Sequence, residues 1–252
     1  MKIVDLINKY REKRLKKRLA FCGVDNNIHM PCYLGAPQNV YLEDYTLIQP
    51  CCTFIIVTGK VVIKKWSSIS CFGTIVTGNH VPTVGVNQRA LGRMHINDNE
   101  KGVYIDEDCW VGAHVTLLGG THLNRGCIVG ANSLVNKEYP PYAVIVGSPG
   151  RVIASKFTLD QIVEHEKKLY PENERMSLEE LKLLFETVYK DKKSIGTSFI
   201  SEQDKLRLHK VAHMQYALCT PALYLAINFL NDYLMGGGGK CLNQSLPQQQ
   251  AA

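Results

Sequence analysis

Between positions 105 and 140 the hydrophobic residues return at every sixth place. Cut from Ile105, the chain falls into the hexads IDEDCW, VGAHVT, LLGGTH, LNRGCI, VGANSL and VNKEYP, whose first position reads Ile105, Val111, Leu117, Leu123, Val129, Val135. The fifth position is mostly small (Cys109, Val115, Thr121, Cys127, Ser133, with Tyr139 the exception), and glycine recurs mid-hexad, where tight bends call for it. The same frame runs earlier through Leu42, Ile48 and Phe54, with Thr46, Cys52 and Thr58 in the fifth slot. After an offset it resumes at Ile63, Ile69 and Ile75, with Ser67, Gly73 and Asn79. An amphipathic helix repeats at 3.6 residues and a half-buried strand at two. Neither gives six. A short strand followed by a turn does, when three such units close a triangular coil and the first-position aliphatic points inward. The pattern therefore predicts a mainly β protein, a solenoid of parallel strands cored by stacked Ile, Leu and Val rungs.

Around this domain, 22–157, the pattern changes. Residues 1–21 read as a basic amphipathic helix with Ile3, Leu6, Ile7 and Tyr10 on one stripe, continued irregularly by Leu15 and Leu19. The stretch 81–102 breaks the six-residue period and lacks strong strand character, so it is expected to be an extruded loop; long loops of this kind are usually functional. A helical extension follows over 158–235. Thr158 is placed to cap LDQIVEHEKKL, and Ser177 with Glu180 forms a capping box for LEELKLLFETVYK, with Pro171 between the two. One or two further helices are expected over 202–235, stopped by the glycines at 236–239, and 236–252 reads as a disordered low-complexity tail. The apolar run 216–235 is long enough to span a bilayer but contains Pro221, Asn228, Asn231 and Asp232, so a buried or trimer-packing helix is preferred to a transmembrane one.

Charge sharpens this division. The 252 residues carry a net charge of +6, with 29 Lys and Arg against 23 Asp and Glu. Eight of the basic residues but only Asp5 and Glu12 of the acidic ones lie in 1–18, so the remainder is neutral. That argues against nucleic-acid binding, which needs cations spread over a folded face. The nine cysteines form no Cys-x-x-Cys pair, and a charged run rather than an apolar signal core follows Met1, so a reducing cytoplasm is the expected setting. Cys52, Cys109 and Cys127 occupy the small slot of the repeat and are expected to be packing residues.

The repeats, the Gly-Asn-His at 78–80, the DCWVG at 108–112 and the GSPGRVI at 147–153 resemble the hexapeptide-repeat acyltransferases, in particular the xenobiotic and sugar O-acetyltransferase branch. The resemblance covers 24–157. It implies a left-handed parallel β-helix, although crossover connections are ordinarily right-handed. It also implies acetyl-CoA as donor, a homotrimer with sites between subunits, and transfer of an acetyl group to a carbohydrate hydroxyl. An antibiotic hydroxyl or the amine of a sugar nucleotide is the alternative acceptor. A non-catalytic scaffold is the alternative of a different class.

Acyl transfer to a hydroxyl needs a base, and a neutral imidazole suits that role. His80 ends the hexad at which the regular coil gives way, and Gly-Asn-His matches the place where the family carries its catalytic histidine; a surface histidine at a coil corner is the competing reading. Asn79, Arg89, Arg93 and His95 are candidates to contact the acceptor, against ordinary solvation. Pantetheine carries two amides that small residues would let approach the backbone, and by resemblance Ala113 and Ala131 sit along that arm. Trp110 takes the family's donor-channel tryptophan position, and Lys137 and Arg151 match the basic positions that meet the coenzyme's phosphates. No metal site is expected: the related carbonic anhydrases hold zinc with a close histidine pair, whereas seven residues separate His114 from His122. The basic arm has two readings, weak attraction to an anionic membrane or polymer, or a solvated helix resting on the first coil.

Overall fold

The computed structural model describes residues 3–209 and 211. Helix α1 (Ile3–Lys16) precedes a chain of short strands, each two to five residues long. The first coil holds β1 (Phe21–Cys22), β2 (Asn27–Ile28) and β3 (Tyr33–Leu34); the second holds β4 (Val40–Leu42), β5 (Leu47–Ile48) and β6 (Thr53–Ile55). The third comprises β7 (Val61–Ile63), β8 (Ser68–Ile69) and β9 (Thr74–Val76), and ends in an excursion: β10 (Gly78–His80), helix α2 (Gln88–Met94) and β11 (Asp98–Glu100). Regular winding resumes with β12 (Val103–Ile105), β13 (Trp110–Val111) and β14 (Thr116–Leu118), then β15 (His122–Leu123), β16 (Ile128–Val129) and β17 (Leu134–Val135). A last coil, β18 (Glu138–Tyr139) and β19 (Ala143–Val146), is closed by β20 (Arg151–Ser155), which pairs antiparallel with β19.

Strands pair with those one coil away, in parallel, giving three faces. The first is β1-β4-β7-β12-β15-β18, the second β2-β5-β8-β13-β16-β19-β20, and the third β3-β6-β9-β14-β17. The hexad reading thus names the core. Its first positions, from Leu42 to Val135, are 0–1% exposed and form one continuous cluster. Each buried aliphatic side chain contributes about 1.5–3 kcal/mol. The corners between the first and second faces and between the second and third use left-handed residues, among them Asp108 at φ 56° and His114 at φ 57°. Cys52, Cys109 and Cys127 are buried, and burial pushes the Cys109 thiol up. All seven cysteines among the described residues are free thiols.

Both ends of the coil carry contacts that cover part of the strand edge. At the start, the Ile28 backbone N–H donates to Glu12 Oε1 at 3.1 Å and the Lys16 ammonium reaches the Asn26 carbonyl. At the finish, Gly150 N–H donates to the Leu134 carbonyl at 2.7 Å, and the Tyr139 hydroxyl to the Gly150 carbonyl at 2.8 Å.

Beyond the coil, α3 (Leu159–Leu169) and α4 (Leu178–Thr187) are each opened by a capping box, from Thr158 and Ser177, and α5 (Glu202–His209) follows. Helices α3 and α4 dock on the edge between the first and second faces. There the buried Glu166 carboxylate accepts from Tyr142 Oη at 2.5 Å and Arg125 Nη1 at 3.0 Å, and Asp108 pairs with Lys156 and His165. No helix among the described residues is long and apolar enough to cross a membrane. The apolar run at 216–235 and the tail at 236–252 lie outside the described residues.

One expectation is corrected. The 81–102 excursion is not irregular: it contains a helix and a strand. Asn87 caps α2 by accepting from Ala90 N–H at 2.9 Å, and fully buried Leu91 anchors it. The strand was hidden because DNE has no apolar alternation. Pairing with Gly78–His80 holds it in place.

Candidate active site

The site grows from the point where the third coil is interrupted. At Thr77 the chain leaves the coil, and its neck is pinned: Thr77 Oγ1 donates to Glu100 Oε2 at 2.6 Å, Gly59 N–H donates to the same oxygen at 2.9 Å, and Lys101 N–H returns to the Thr77 carbonyl at 2.7 Å. Outside this neck, Gly78, Asn79 and His80 pair with Glu100, Asn99 and Asp98 in a two-stranded ribbon. Strand alternation puts His80 and Asp98 on one side of the ribbon and Asn79 and Asn99 on the other. A side chain at Gly78 would meet Glu100 Oε1 at 2.2 Å, so a larger residue there would have to displace the Glu100 carboxylate that pins the neck.

His80 Nδ1 lies 2.6 Å from Asp98 Oδ1, and His95 Nδ1 lies 2.7 Å from Asp98 Oδ2. One carboxylate therefore receives two imidazoles, and the hydrogen bond from His80, with that from His95, holds Asp98 below the usual carboxylate range. An ionised carboxylate only accepts, so both Nδ1 atoms carry protons. With the proton on Nδ1, the neutral form of the His80 ring presents a bare Nε2. The helix α2 passes beside that nitrogen: a methyl at Gly92 would stand 3.2 Å from His80 Nε2. The three groups could also offer a metal one ligand atom each, all within 4.8 Å. The His–Asp separations of 2.6 and 2.7 Å are hydrogen-bond lengths, however, shorter than the roughly 3.3 Å between ligands on a tetrahedral zinc with 2.0 Å bonds.

On the opposite side of the ribbon a groove of about 360 Å³ follows the edge between the third and first faces, lined by Asn79, Asn99, Lys101, Gly119 and Asn136. Lys137, exposed, sits next along this edge. Ala113 and Ala131 lie on the edge between the second and third faces, in successive coils, joined by Asn132 N–H donating to the Ala113 carbonyl at 3.0 Å. Arg151, exposed at the start of β20, pairs with Val146 near the same edge. The donor candidates thus flank the outer surface of the third face. Trp110 stands apart, 57% exposed on the second face beside Ser68 and Ile128. Arg89 and Arg93 are exposed on α2 and make no ion pair among the described residues.

Sequence reasoning missed Asp98, Gly92 and the carboxamides of Asn99 and Asn136. A His95-x-x-Asp98 spacing was there to be seen. His114 is exposed and stacks on Phe72, while His122 pairs with Asp106 at 3.1 Å; neither approaches this cluster.

Comparison with known proteins agrees with this architecture. Residues 102–137 match the model of the bacterial transferase hexapeptide (six repeats) family. Over 58 residues the chain is 34% identical to a chloramphenicol acetyltransferase of Klebsiella aerogenes, a match covering 23% of this chain and 28% of that protein. Among solved structures, a hexapeptide-repeat-containing acetyltransferase from Vibrio cholerae superposes with a TM-score of 0.52 at 21% identity, over 59% of this chain and 80% of the other. A maltose O-acetyltransferase from Clostridium difficile 630 gives 0.51 at 21% identity, over 60% and 81%. The fold is the left-handed parallel β-helix of the hexapeptide-repeat proteins, with an N-terminal helix and C-terminal helices added.

Proposed function

We propose that this chain is an acetyl-CoA-dependent O-acetyltransferase with His80 as its general base and a carbohydrate hydroxyl as acceptor. The observation that carries the reading is the 2.6 Å contact from His80 Nδ1 to Asp98, which in the neutral ring leaves Nε2 free beside α2. His80 Nε2 takes the proton as the acceptor oxygen attacks the thioester carbonyl. The tetrahedral intermediate collapses by breaking the C–S bond, and the imidazolium returns its proton to the departing thiolate. No acyl-enzyme forms. In this scheme Asp98 is a positioning residue: it fixes the tautomer and orientation of His80.

The carboxamides of Asn79, Asn99 and Asn136 line the groove on the other side of the ribbon from His80, and each offers a donor and an acceptor to a polar ligand lying there. In our reading Arg89, Arg93 and His95 border the acceptor. Ala113, Ala131, Lys137 and Arg151 flank the third face, where the pantetheine arm and phosphates would lie, and Trp110 would reach them from a neighbouring copy in a homotrimer. Such an enzyme would work in the cytoplasm, where its donor is made, on a saccharide destined for the cell surface. The likeness to chloramphenicol acetyltransferase supports a second reading, a hydroxyl of an antibiotic. A thiol-release screen of both acceptor classes separates the two.

The test is His80→Ala. The variant should keep its fold and its affinity for coenzyme A, and lose about 10²- to 10⁴-fold in turnover, the usual worth of a positioned base. Turnover close to wild type overturns the assignment of His80. Failure of the wild-type protein to bind acetyl-CoA by calorimetry overturns the enzyme reading in favour of a scaffold.

A further inference from the structure

Helix α1 is attached to the coil by one side only. Leu15 is buried, Glu12 accepts from the Ile28 N–H, and Lys16 reaches Asn26. At 100° per residue, Ile3, Leu6, Ile7 and Tyr10 centre about half a turn away from that attached side. The exposures agree: Ile3 76%, Leu6 51%, Ile7 44% and Tyr10 66%. An amphipathic helix on a globular protein normally turns its apolar stripe inward. This one turns it out.

The same outward face continues toward the helix's C-terminus as Lys13 and Arg14, and the turn that follows the helix adds Lys17 and Arg18, all exposed. One continuous surface is therefore apolar over its first two turns and cationic over the rest. These cations belong to the 1–18 segment that carries the whole net charge of a chain otherwise neutral. Charge identifies the occupant. A second copy of the neutral body offers no excess anion to meet these cations, and a like arm would repel them. An anionic bilayer meets both halves, with headgroups for the cations and acyl chains for Ile3, Leu6, Ile7 and Tyr10.

We propose that the outward face of α1 docks on an anionic lipid bilayer, with its apolar turns in the interface and its basic turns among the headgroups. The proposal stands independently of the chemistry assigned to His80. Attachment is peripheral and salt-sensitive, since exposed charges are screened over about 10 Å at 0.1 M ionic strength. Each outward cation raises partitioning about fivefold, a figure equivalent to the ~1 kcal/mol a Lys or Arg gains at such a surface.

The experiment is flotation of the full chain with vesicles of equimolar phosphatidylglycerol and phosphatidylcholine, or of phosphatidylcholine alone, at 50 mM and 500 mM salt. Wild-type protein should float with the anionic vesicles at low salt only. Arg14→Ser with Lys17→Ser should lower partitioning about 30-fold, and Leu6→Glu with Ile7→Glu should abolish it. Both variants should keep the wild-type melting temperature and light-scattering mass. Failure of the wild-type to float, equal recovery with neutral vesicles, or wild-type binding by Leu6→Glu with Ile7→Glu each overturns the proposal. So does a smaller mass for Leu6→Glu with Ile7→Glu, which would assign the stripe to a contact between subunits.

Discussion

Replacing Asp98 by asparagine preserves its shape and removes its charge. In the wild-type chain the carboxylate accepts from His80 Nδ1 at 2.6 Å and from His95 Nδ1 at 2.7 Å. An amide offers one accepting oxygen and one donating NH₂ in place of two accepting oxygens. The two Nδ1–H donors then compete for a single oxygen, and the ring that faces the NH₂ must move its proton to Nε2. Where that ring is His80, the proposed base is blocked. A hydrogen bond to a charged group contributes about 1.5–3 kcal/mol, which converts to a rate loss of roughly 10- to 150-fold. The assay is acetyl-CoA-dependent thiol release at saturating acceptor, paired with calorimetric titration of coenzyme A. Turnover should fall within that range while coenzyme A affinity stays within twofold, because no donor-contact candidate touches Asp98. Turnover within twofold of wild type in a folded Asp98→Asn protein refutes the tautomer argument. A matching loss of coenzyme A affinity instead moves Asp98 into donor binding.

Two further substitutions probe different parts of the molecule. Gly92→Ala sets a methyl 3.2 Å from His80 Nε2, so kcat/KM for the acceptor should drop at least about tenfold, while a gain in helix propensity of up to ~1 kcal/mol keeps the melting temperature from falling; unchanged kcat/KM would show that the acceptor approaches from elsewhere. Arg125→Ala leaves the buried Glu166 carboxylate without its cation, at 3.0 Å in the wild-type chain, and should cost about 3 kcal/mol in denaturant unfolding, with faster proteolysis within α3 and α4; a loss below 1 kcal/mol would mean that the Tyr142 hydroxyl and the Met176 N–H satisfy the carboxylate without the cation.

The coil could be read from sequence because its order is one-dimensional. Each first-position residue, from Leu42 to Val135, meets the same environment as the one a coil earlier, so burial is written as a period. The capping boxes at Thr158 and Ser177 were legible for a related reason: their hydrogen bonds span three residues. The excursion has no such regularity. Asp98 meets His80 across eighteen residues of chain through an antiparallel ribbon whose strand DNE is wholly polar, and neither period nor composition encodes that pairing. Helix α2 escaped notice for want of length, since seven residues barely complete two turns. The half-turn between the apolar stripe of α1 and its attached side needed the coil itself to be seen, because a sequence shows a stripe but not which way it turns.

A solenoid built by addition has no intrinsic length. Each new coil presents the same row of unpaired backbone groups that received the last one, and that row is equally open to a coil from another molecule. Glu12 and Lys16 of α1 occupy amide and carbonyl sites at one terminus, and β20 with the Gly150 contacts occupies those at the other. Coverage of this kind disfavours edge-to-edge stacking with another molecule. The helix that we place on the membrane thus also covers part of the coil's first edge. Removing it would test adhesion and self-assembly at once, whereas point changes on its outward face leave that cover in place.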